Sequence, residues 1–458
     1  MKNSFSNTEQ FIGKLKNIER QIAQNLLQPA ALQLNRLAEA APRDPRIFLL
    51  GARLAQAAGN PAGVLQAARK AFELAPQWPV AALYLAGVLA ERSDTDQAMS
   101  LATQAVQLAE NQKVISHELL VNAAGMAQQL GQYPQVLTWL RQAEALRPQD
   151  TSTRYKIGLT LSSMGDFAGA IYIFTGLVAQ LPDNPAVLSA RRRAALDAKN
   201  MELAVQDAQK LLAIEPANEE HEFYLTIAQG ETPQTQPAAV ITHLFNDLAP
   251  HYDRSWSEAL GYTLARDVAQ RIKSWYPAGD ADVLDLGCGT GQLGAAMGRI
   301  DGVMVGVDLS QAMLDCAAQH KVYDSFHRVN LLDALQATPE NLYHIIAALD
   351  VFNYTGNLDA AIPNALRILV PGGRLVFSCE AGADDGASYT LNNTYRYSHQ
   401  RSYVRGLLEK TGFKDIELQD RVLRLESGIP VYGFLVMAAK APLAAKKPGR
   451  KQSPIVTN

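Results

Sequence analysis

The sequence predicts two architectures in series: an all-α solenoid of helix pairs, then an α/β domain built on a mostly parallel sheet. Three observations carry that prediction. Segment ends recur at a fixed spacing through the first half, and the apolar period changes near residue 240. The glycine-rich turn in VLDLGCGTGQLGAAM (283–297) then joins an apolar strand to a helix.

Composition bounds the problem. A chain of 458 residues has room for roughly two to four domains. Hydrophobic residues make up 48% and charged residues 19%, the profile of an ordinary soluble globular protein. A net charge of −3 argues against nucleic acid as the partner, since phosphate neutralisation needs clustered Lys and Arg. The start, MKNSFSNTEQ, is polar with no apolar run after it, so neither a secretory signal nor a membrane span is expected. Cys288, Cys316 and Cys379 are far apart, which disfavours disulfides and a metal site and points to a reduced, cytoplasmic setting.

The repeats come first. EAAPRDP, ELAPQWP, QLAENQK, ALRPQDT, AQLPDNP and AIEPANE end successive segments, with Pro42, Pro76, Glu110, Pro148, Pro182 and Pro216 as reference positions. The spacings are 34, 34, 38, 34 and 34 residues, and a constant period in a helical sequence means stacked helix pairs. Gly59, Gly131 and Gly165 fall where two antiparallel helices need a tight turn; Ser93 and Lys199 occupy the same place in other copies. Ala98, Ala170 and Ala204, with Ala71, Ala105 and Ala143, mark close helix approaches. The pattern resembles the tetratricopeptide repeat, and residues 1–229 are assigned to it. That resemblance implies a concave surface holding a protein or peptide partner; the alternative is a scaffold that only supports the second half. Arg191, Arg192 and Arg193 are expected to form a solvated basic face, with a ligand role as the alternative.

GETPQTQPAA (230–239) reads as a linker, placed at 230–240. Beyond it, DVLDL, VMVGVDL, FHRVN, YHIIAAL and GRLVFSC alternate with helical stretches such as SQAMLDCAAQH and LDAAIPNALRIL, so a parallel sheet with helices on both faces is expected. HQRSYVRGLLEK predicts a helix capped by Ser398 and ending near Gly412. Residues 441–458, with Lys446, Lys447, Arg450 and Lys451, read as a disordered tail.

The glycine turn bears on function. Gly287, Gly289 and Gly291 let a ligand approach the backbone, and Asp308, at the end of the second strand, is placed to accept hydrogen bonds from a ribose. A dinucleotide fingerprint would place its third glycine one residue later, and Asp285 would repel a pyrophosphate while suiting the cationic end of an amino acid.

DLGCGTG, followed by VGVDLS, resembles class I S-adenosylmethionine-dependent methyltransferases over residues 241–440. The resemblance implies a Rossmann-like, mostly parallel seven-stranded sheet and S-adenosylmethionine as cofactor. Asp285, Gly287, Cys288, Gly289, Thr290 and Gly291 then pass under the methionine portion and ribose, and Asp308 holds the ribose. Leu309 and Met313 supply apolar contacts, Asn330 and Leu331 meet the adenine, and Asp350 stands where the reaction centre opens. LFNDLAPHYDRSWSEALGY and NNTYRYSHQRSYVRGLLEKTGFKDIE resemble a narrower group, predicted methyltransferases that carry tetratricopeptide repeats, in which Tyr252 and Tyr262 close over the cofactor.

Methyl transfer from a sulfonium depends on alignment, and a base is required only for a protonated acceptor. Candidates are His399, in the first turn of the last helix, Glu380, at the end of the fifth strand, and His251. Tyr354, Tyr395, Arg396, Tyr397 and Arg401 are candidates for the acceptor site, an arginine contact favouring a carboxylate. No NPPY or DPPY follows the fourth strand, which disfavours adenine or glutamine-amide methylation of that kind. The leading reading is methylation of a protein or peptide presented by the repeats. The alternatives are a small carboxylic acid or secondary metabolite with the repeats used for assembly, and a non-catalytic scaffold. The oligomeric state is open.

Overall fold

In the computed structural model, residues 8–92, 94–249, 252, 263–383, 386–426 and 429–443 are described. They form two compact units divided between Ile214 and Glu215. Ser93 and residues 444–458, most of the expected tail, lie outside the described residues.

The first unit is helical throughout. Its helices are α1 (Glu9–Ala23), α2 (Leu27–Ala40), α3 (Pro45–Ala57), α4 (Pro61–Leu74), α5 (Pro79–Glu91) and α6 (Thr95–Asn111). They continue as α7 (His117–Gln129), α8 (Tyr133–Leu146), α9 (Thr151–Ser163), α10 (Phe167–Gln180), α11 (Pro185–Asp197) and α12 (Met201–Ile214). The repeated ends explain the starts: Asp44 and Asn184 accept backbone N–H groups at helix N-termini, each followed by a proline in the first turn. The third copy's extra residues fall mainly in α6, which has 17 residues against 14 in α4. Ala71, Ala98, Ala105, Ala143, Ala170 and Ala204 are wholly buried, where a larger side chain would push the helices apart.

Gly59, Gly131 and Gly165 have φ of 66°, 69° and 79°, the left-handed turn their positions call for. Lys199 adopts the same conformation at φ 59° and carries its steric penalty. Lys199→Gly is therefore expected to stabilise the first unit by about 0.5–1 kcal/mol, read as a higher urea midpoint. An unchanged midpoint would contradict the strain.

The basic run departs from expectation. Arg191 and Arg192 are buried, not solvated, because α11 packs between α10 and α12. Arg191 donates from Nε and Nη2 to both oxygens of Asp207 on α12, at 2.8 and 2.6 Å. Arg193 alone takes the surface role, pairing with Asp197 one turn on at 3.1 Å.

The second unit opens with α13 (Glu219–Ala228) and α14 (Ala238–Leu248), so its boundary precedes the anticipated linker. Between them, 230–237 is no free tether. Gln234 accepts N–H bonds from Gly356 and Asn357, Thr235 bridges Thr355, and the Gln236 N–H donates to the Tyr354 carbonyl at 3.1 Å.

Next come α15 (Leu264–Trp275), β1 (Val283–Leu286), α16 (Gln292–Met297), β2 (Met304–Asp308), α17 (Gln311–Ala318), β3 (Ser325–Arg328), α18 (Leu331–Ala337) and β4 (Tyr343–Ala348). They are followed by α19 (Ala361–Ile368), β5 (Leu369–Ala381), β6 (Tyr389–Leu391), β7 (Tyr397–His399), α20 (Arg401–Thr411), β8 (Lys414–Glu426) and β9 (Ile429–Ala439). The sheet runs β3-β2-β1-β4-β5, all parallel, then β9 antiparallel to β5, and β8 on β9. Successive residues of β1 and β4 enter opposite cores: Leu284 and Ile346 lie on one face, Val283 and Ile345 on the other. Burial on both faces is why these strands read as unbroken apolar runs.

The expected seven strands become nine among the described residues. The segment between β5 and α20 folds as a hairpin, β6 with β7, and β7 pairs parallel with the end of β5 at Glu380↔Ser398 and Ala381↔His399. Asn392 makes the turn: its Oδ1 accepts from the N–H groups of Thr394 and Arg396 at 2.9 and 3.0 Å. Consequently Ser398 and His399 are strand residues, and α20 begins only at Arg401 with Gln400 as its N-cap. The end at Gly412 is as anticipated. No helix among the described residues is long and apolar enough to cross a membrane.

Candidate functional site

The strand order reverses between β1 and β4, and a crevice opens there at the carboxyl ends of the parallel strands. The glycine turn forms its floor. Gly287 has φ 64°, and a Cβ built on it would lie 2.4 Å from Val351 Cγ2. Gly289 has φ 52° and open space where a Cβ would go, so the backbone itself faces the crevice. Gly291 stands just outside, as the left-handed N-cap of α16.

Three carboxylates line the crevice. Asp285, in β1, is buried and accepts the Tyr323 hydroxyl at 2.7 Å. Burial pushes its pKa up to about 7 against that bond, with Asp308 adding in the same direction. Asp308, ending β2, accepts N–H bonds from Gly289 and Ser310, each at 2.9 Å, and burial raises its pKa despite them. Asp350, after β4, holds a left-handed φ of 57° and accepts from Arg424 Nη1 at 2.8 Å.

The other cofactor candidates gather around them. Cys288, Thr290, Leu309, Met313, Asn330, Leu331 and Tyr252 line the same crevice, as does Tyr354. Asn330 caps α18, its Oδ1 accepting from Leu332 N–H at 2.8 Å. Burial raises the Tyr354 pKa to about 12, keeping it a neutral donor. Tyr262 and His251 lie outside the described residues.

The predicted catalytic and acceptor residues separate. His399 is wholly buried in β7, away from the crevice; its Nε2 is 3.0 Å from the carbonyls of Thr355 and Gly356. Burial lowers its pKa to about 4, which makes it a neutral structural donor. It lies in a strand, not in the expected first helical turn, and the strand turns it inward. Glu380 is also buried, held by both Arg424 and Arg396, the latter at 3.0 Å, and by Asn392 at 3.0 Å. It belongs to an ion network rather than to a base facing an acceptor.

Arg396 reaches Glu426 as well as Glu380, so it has no carboxylate-binding fork to offer. Arg401 pairs with Asp420 at 2.7 Å and stacks over Phe434, out on α20 and off the crevice. Tyr395 packs edge-on against Tyr224 of α13, and Tyr397 is wholly buried beside Tyr389. Only Tyr354 of the acceptor candidates lines the crevice.

Several lining or supporting residues had no signal in the chain. Tyr323, which fixes Asp285, lies between α17 and β3 with no motif around it. Phe245 of α14 and Thr235 of the strap line the crevice from segments read as entry and linker. Arg424, in β8, is buried among Asp350, Glu380 and Glu426.

Comparison with known proteins agrees with this geometry. Residues 284–375 match the family model described as Methyltransferase domain. The chain is similar to the ubiquinone biosynthesis O-methyltransferase of Pseudomonas savastanoi pv. phaseolicola, 27% identical over 135 residues covering 27% of this chain and 58% of that protein. It is also similar to the mitochondrial ubiquinone biosynthesis O-methyltransferase of Rattus norvegicus, 28% identical over 29% of this chain and 35% of that one. The chain thus spans little more than half the length of the former. Among solved structures, magnesium protoporphyrin IX methyltransferase from Synechocystis PCC 6803 with bound SAH aligns at 18% identity and TM-score 0.35, covering 44% of this chain and 99% of that one. YrrB, a TPR protein with an unusual peptide-binding site, aligns at 19% identity and TM-score 0.36, covering 43% of this chain and 97% of its own. Residues 284–375 therefore carry a methyltransferase domain, with helix pairs of tetratricopeptide-like spacing ahead of it.

Proposed function

We propose that this protein transfers a methyl group from S-adenosylmethionine to the hydroxyl of a small acceptor. One observation carries the cofactor reading: Asp285, Asp308 and Asp350 line the crevice and no lysine or arginine does, among the described residues. Such a site suits a cationic ligand and repels a pyrophosphate. Asp285 would meet the amino group, Asp308 the ribose hydroxyls, and Leu309, Met313 and Leu331 the faces of the base. The open space beside Gly289 fits a ligand lying on the backbone. When bound, the cofactor supplies an electrophilic methyl group on sulfur. Its own residues align the acceptor and exclude water, with Phe245, Tyr252 and Tyr354 as the cover.

Calorimetry with S-adenosylhomocysteine tests this. Asp285 must be ionised to hold the ammonium, and its pKa stands near 7, so affinity is expected to rise between about pH 6 and pH 8. No binding heat at pH 8 would reject the reading, and a flat profile would reject the role of Asp285.

The named O-methyltransferase relatives support a small hydroxyl acceptor. The two arginines expected to hold a carboxylate are already paired, which weakens the carboxylic-acid alternative. A second reading has its own support: the first unit carries a groove of about 690 Å³ lined by Trp78, Val80, Leu83 and Tyr84, suited to an apolar peptide. Labelled cofactor incubated with cell extract separates the two, since label enters either small molecules or protein. If protein is labelled, Val80→Arg, at an exposed groove position, should abolish it while leaving S-adenosylhomocysteine binding intact. The absence of a disulfide at Cys288, Cys316 and Cys379 suits the reducing cytoplasm proposed as its compartment.

A further inference from the structure

Beside the cofactor floor lies a buried ion network that no sequence motif announces. Arg424 donates from Nη1 to Asp350 at 2.8 Å and from Nε to Glu426 at 2.8 Å, and also pairs with Glu380. Arg396 joins Glu380 and Glu426. Three carboxylates thus face two guanidinium groups, leaving one negative charge in surplus. Asp350 is the member that reaches the crevice. Its Oδ1 is clamped by Arg424, and its N–H donates to Ser378 Oγ at 2.8 Å, while its Oδ2 has no hydrogen-bond partner among the described residues. The backbone is held at φ 57°, in the left-handed region that Asp and Asn tolerate.

We propose that Asp350 is the catalytic base of this site, taking the proton from an acceptor hydroxyl, and that Arg424 is the residue positioning it. The inference rests on the cofactor reading above and adds the acceptor's chemistry to it. The hydroxyl oxygen's lone pair forms the new O–C bond as the C–S bond breaks and its electron pair returns to sulfur. The hydroxyl proton passes to Asp350 Oδ2. One oxygen oriented by a cation and the other open is the arrangement a general base needs. Burial raises the Asp350 pKa, and the facing groups act in both directions: Arg424 and Arg396 lower it, while Glu380 and Glu426 raise it. Tyr252 and Tyr354 stand close enough to feel its charge. The surplus negative charge disfavours an acceptor that arrives as an anion, so the acceptor binds with its proton in place.

The test uses the full chain and Asp350→Asn, a substitution that suits the left-handed backbone and removes only the basic oxygen. Calorimetry with S-adenosylhomocysteine comes first, and binding is expected to persist, weakened at most about tenfold, because Asp350 adds only to the field of the crevice while Asp285 and Asp308 are untouched. The second readout is 4-nitrophenol added to the S-adenosylhomocysteine-loaded protein at the pH where the free probe is half ionised. In the wild type the phenolate absorption should fall as the neutral phenol donates to Asp350; in Asp350→Asn the fall should vanish. Arg424→Lys, keeping the charge but not the fork, should reduce it. With the acceptor recovered from extract, kcat of Asp350→Asn should drop about 100-fold or more with KM for the cofactor unchanged. An equal fall in wild type and Asp350→Asn overturns the proposal, as does a wild type that binds S-adenosylhomocysteine yet leaves the probe unaltered. A wild type that fails to bind S-adenosylhomocysteine overturns the cofactor reading itself.

Discussion

Asp207→Ala is expected to destabilise the repeat unit by about 3–5 kcal/mol, because it strands a buried guanidinium. Arg191 spends two donors on Asp207, and the pair spans α11 and α12 with side-chain exposures of 9% and 1%. Only Thr175 Oγ1, at 3.3 Å, would remain as a partner in that network. In a stack of repeats the loss falls on the interfaces beside α11 and α12, so unfolding should begin there. Urea unfolding followed by circular dichroism measures it. Arg191→Met combined with Asp207→Leu should recover most of the loss, since an apolar pair of similar size needs no desolvation of charge. A single-variant loss below about 1 kcal/mol would mean that water reaches the pair.

Gly287→Ala should strongly weaken cofactor binding. A left-handed φ costs an alanine about 1–2 kcal/mol, and overpacking against Val351 about 1–3 kcal/mol more. The loop must move to relieve the contact, and it carries the backbone that the cofactor would lie on. The expected result is a loss of S-adenosylhomocysteine affinity of roughly 30-fold or greater, following about 2 kcal/mol or more of distortion. Gly298→Ala is the control. It has φ 70° at the far end of α16 with nothing within 4 Å of its Cβ, so it should cost stability yet leave binding unaltered. Equal affinity losses in both variants would show that strain alone, not the shape of the crevice floor, is responsible.

What could be read in the chain was local. The 34-residue spacing, the N-cap residues before each proline and the alanines at helix crossings all express neighbours within one or two turns. The same holds for the glycine turn, whose left-handed φ values favour glycine. Asp285 and Asp308 were legible because each lies at or next to the carboxyl end of a parallel strand, where ligands bind in such sheets.

The departures from the sequence pattern share a cause as well. HQRSYVRGLLEK carries helical periodicity that includes His399, yet pairing with β5 draws Ser398 and His399 into a strand. Arg396 and Arg401 looked like acceptor ligands because a sequence does not reveal that Glu380, Glu426 and Asp420 already hold them. The strap at 230–237 looked free because its partners, Tyr354 to Asn357, lie more than a hundred residues on.

The sequence by itself determined the helix pairs, the sheet's alternation and the bare turn with its two acids, since these follow from backbone conformation and hydrophobic period over short spans. Only the tertiary structure decided which charges are spent and which face the crevice. Asp350, Glu380, Arg396, Arg424 and Glu426 meet because β4, β5, β7 and β8 converge, and a charge buried by distant strands stabilises or reacts according to partners that no local pattern encodes.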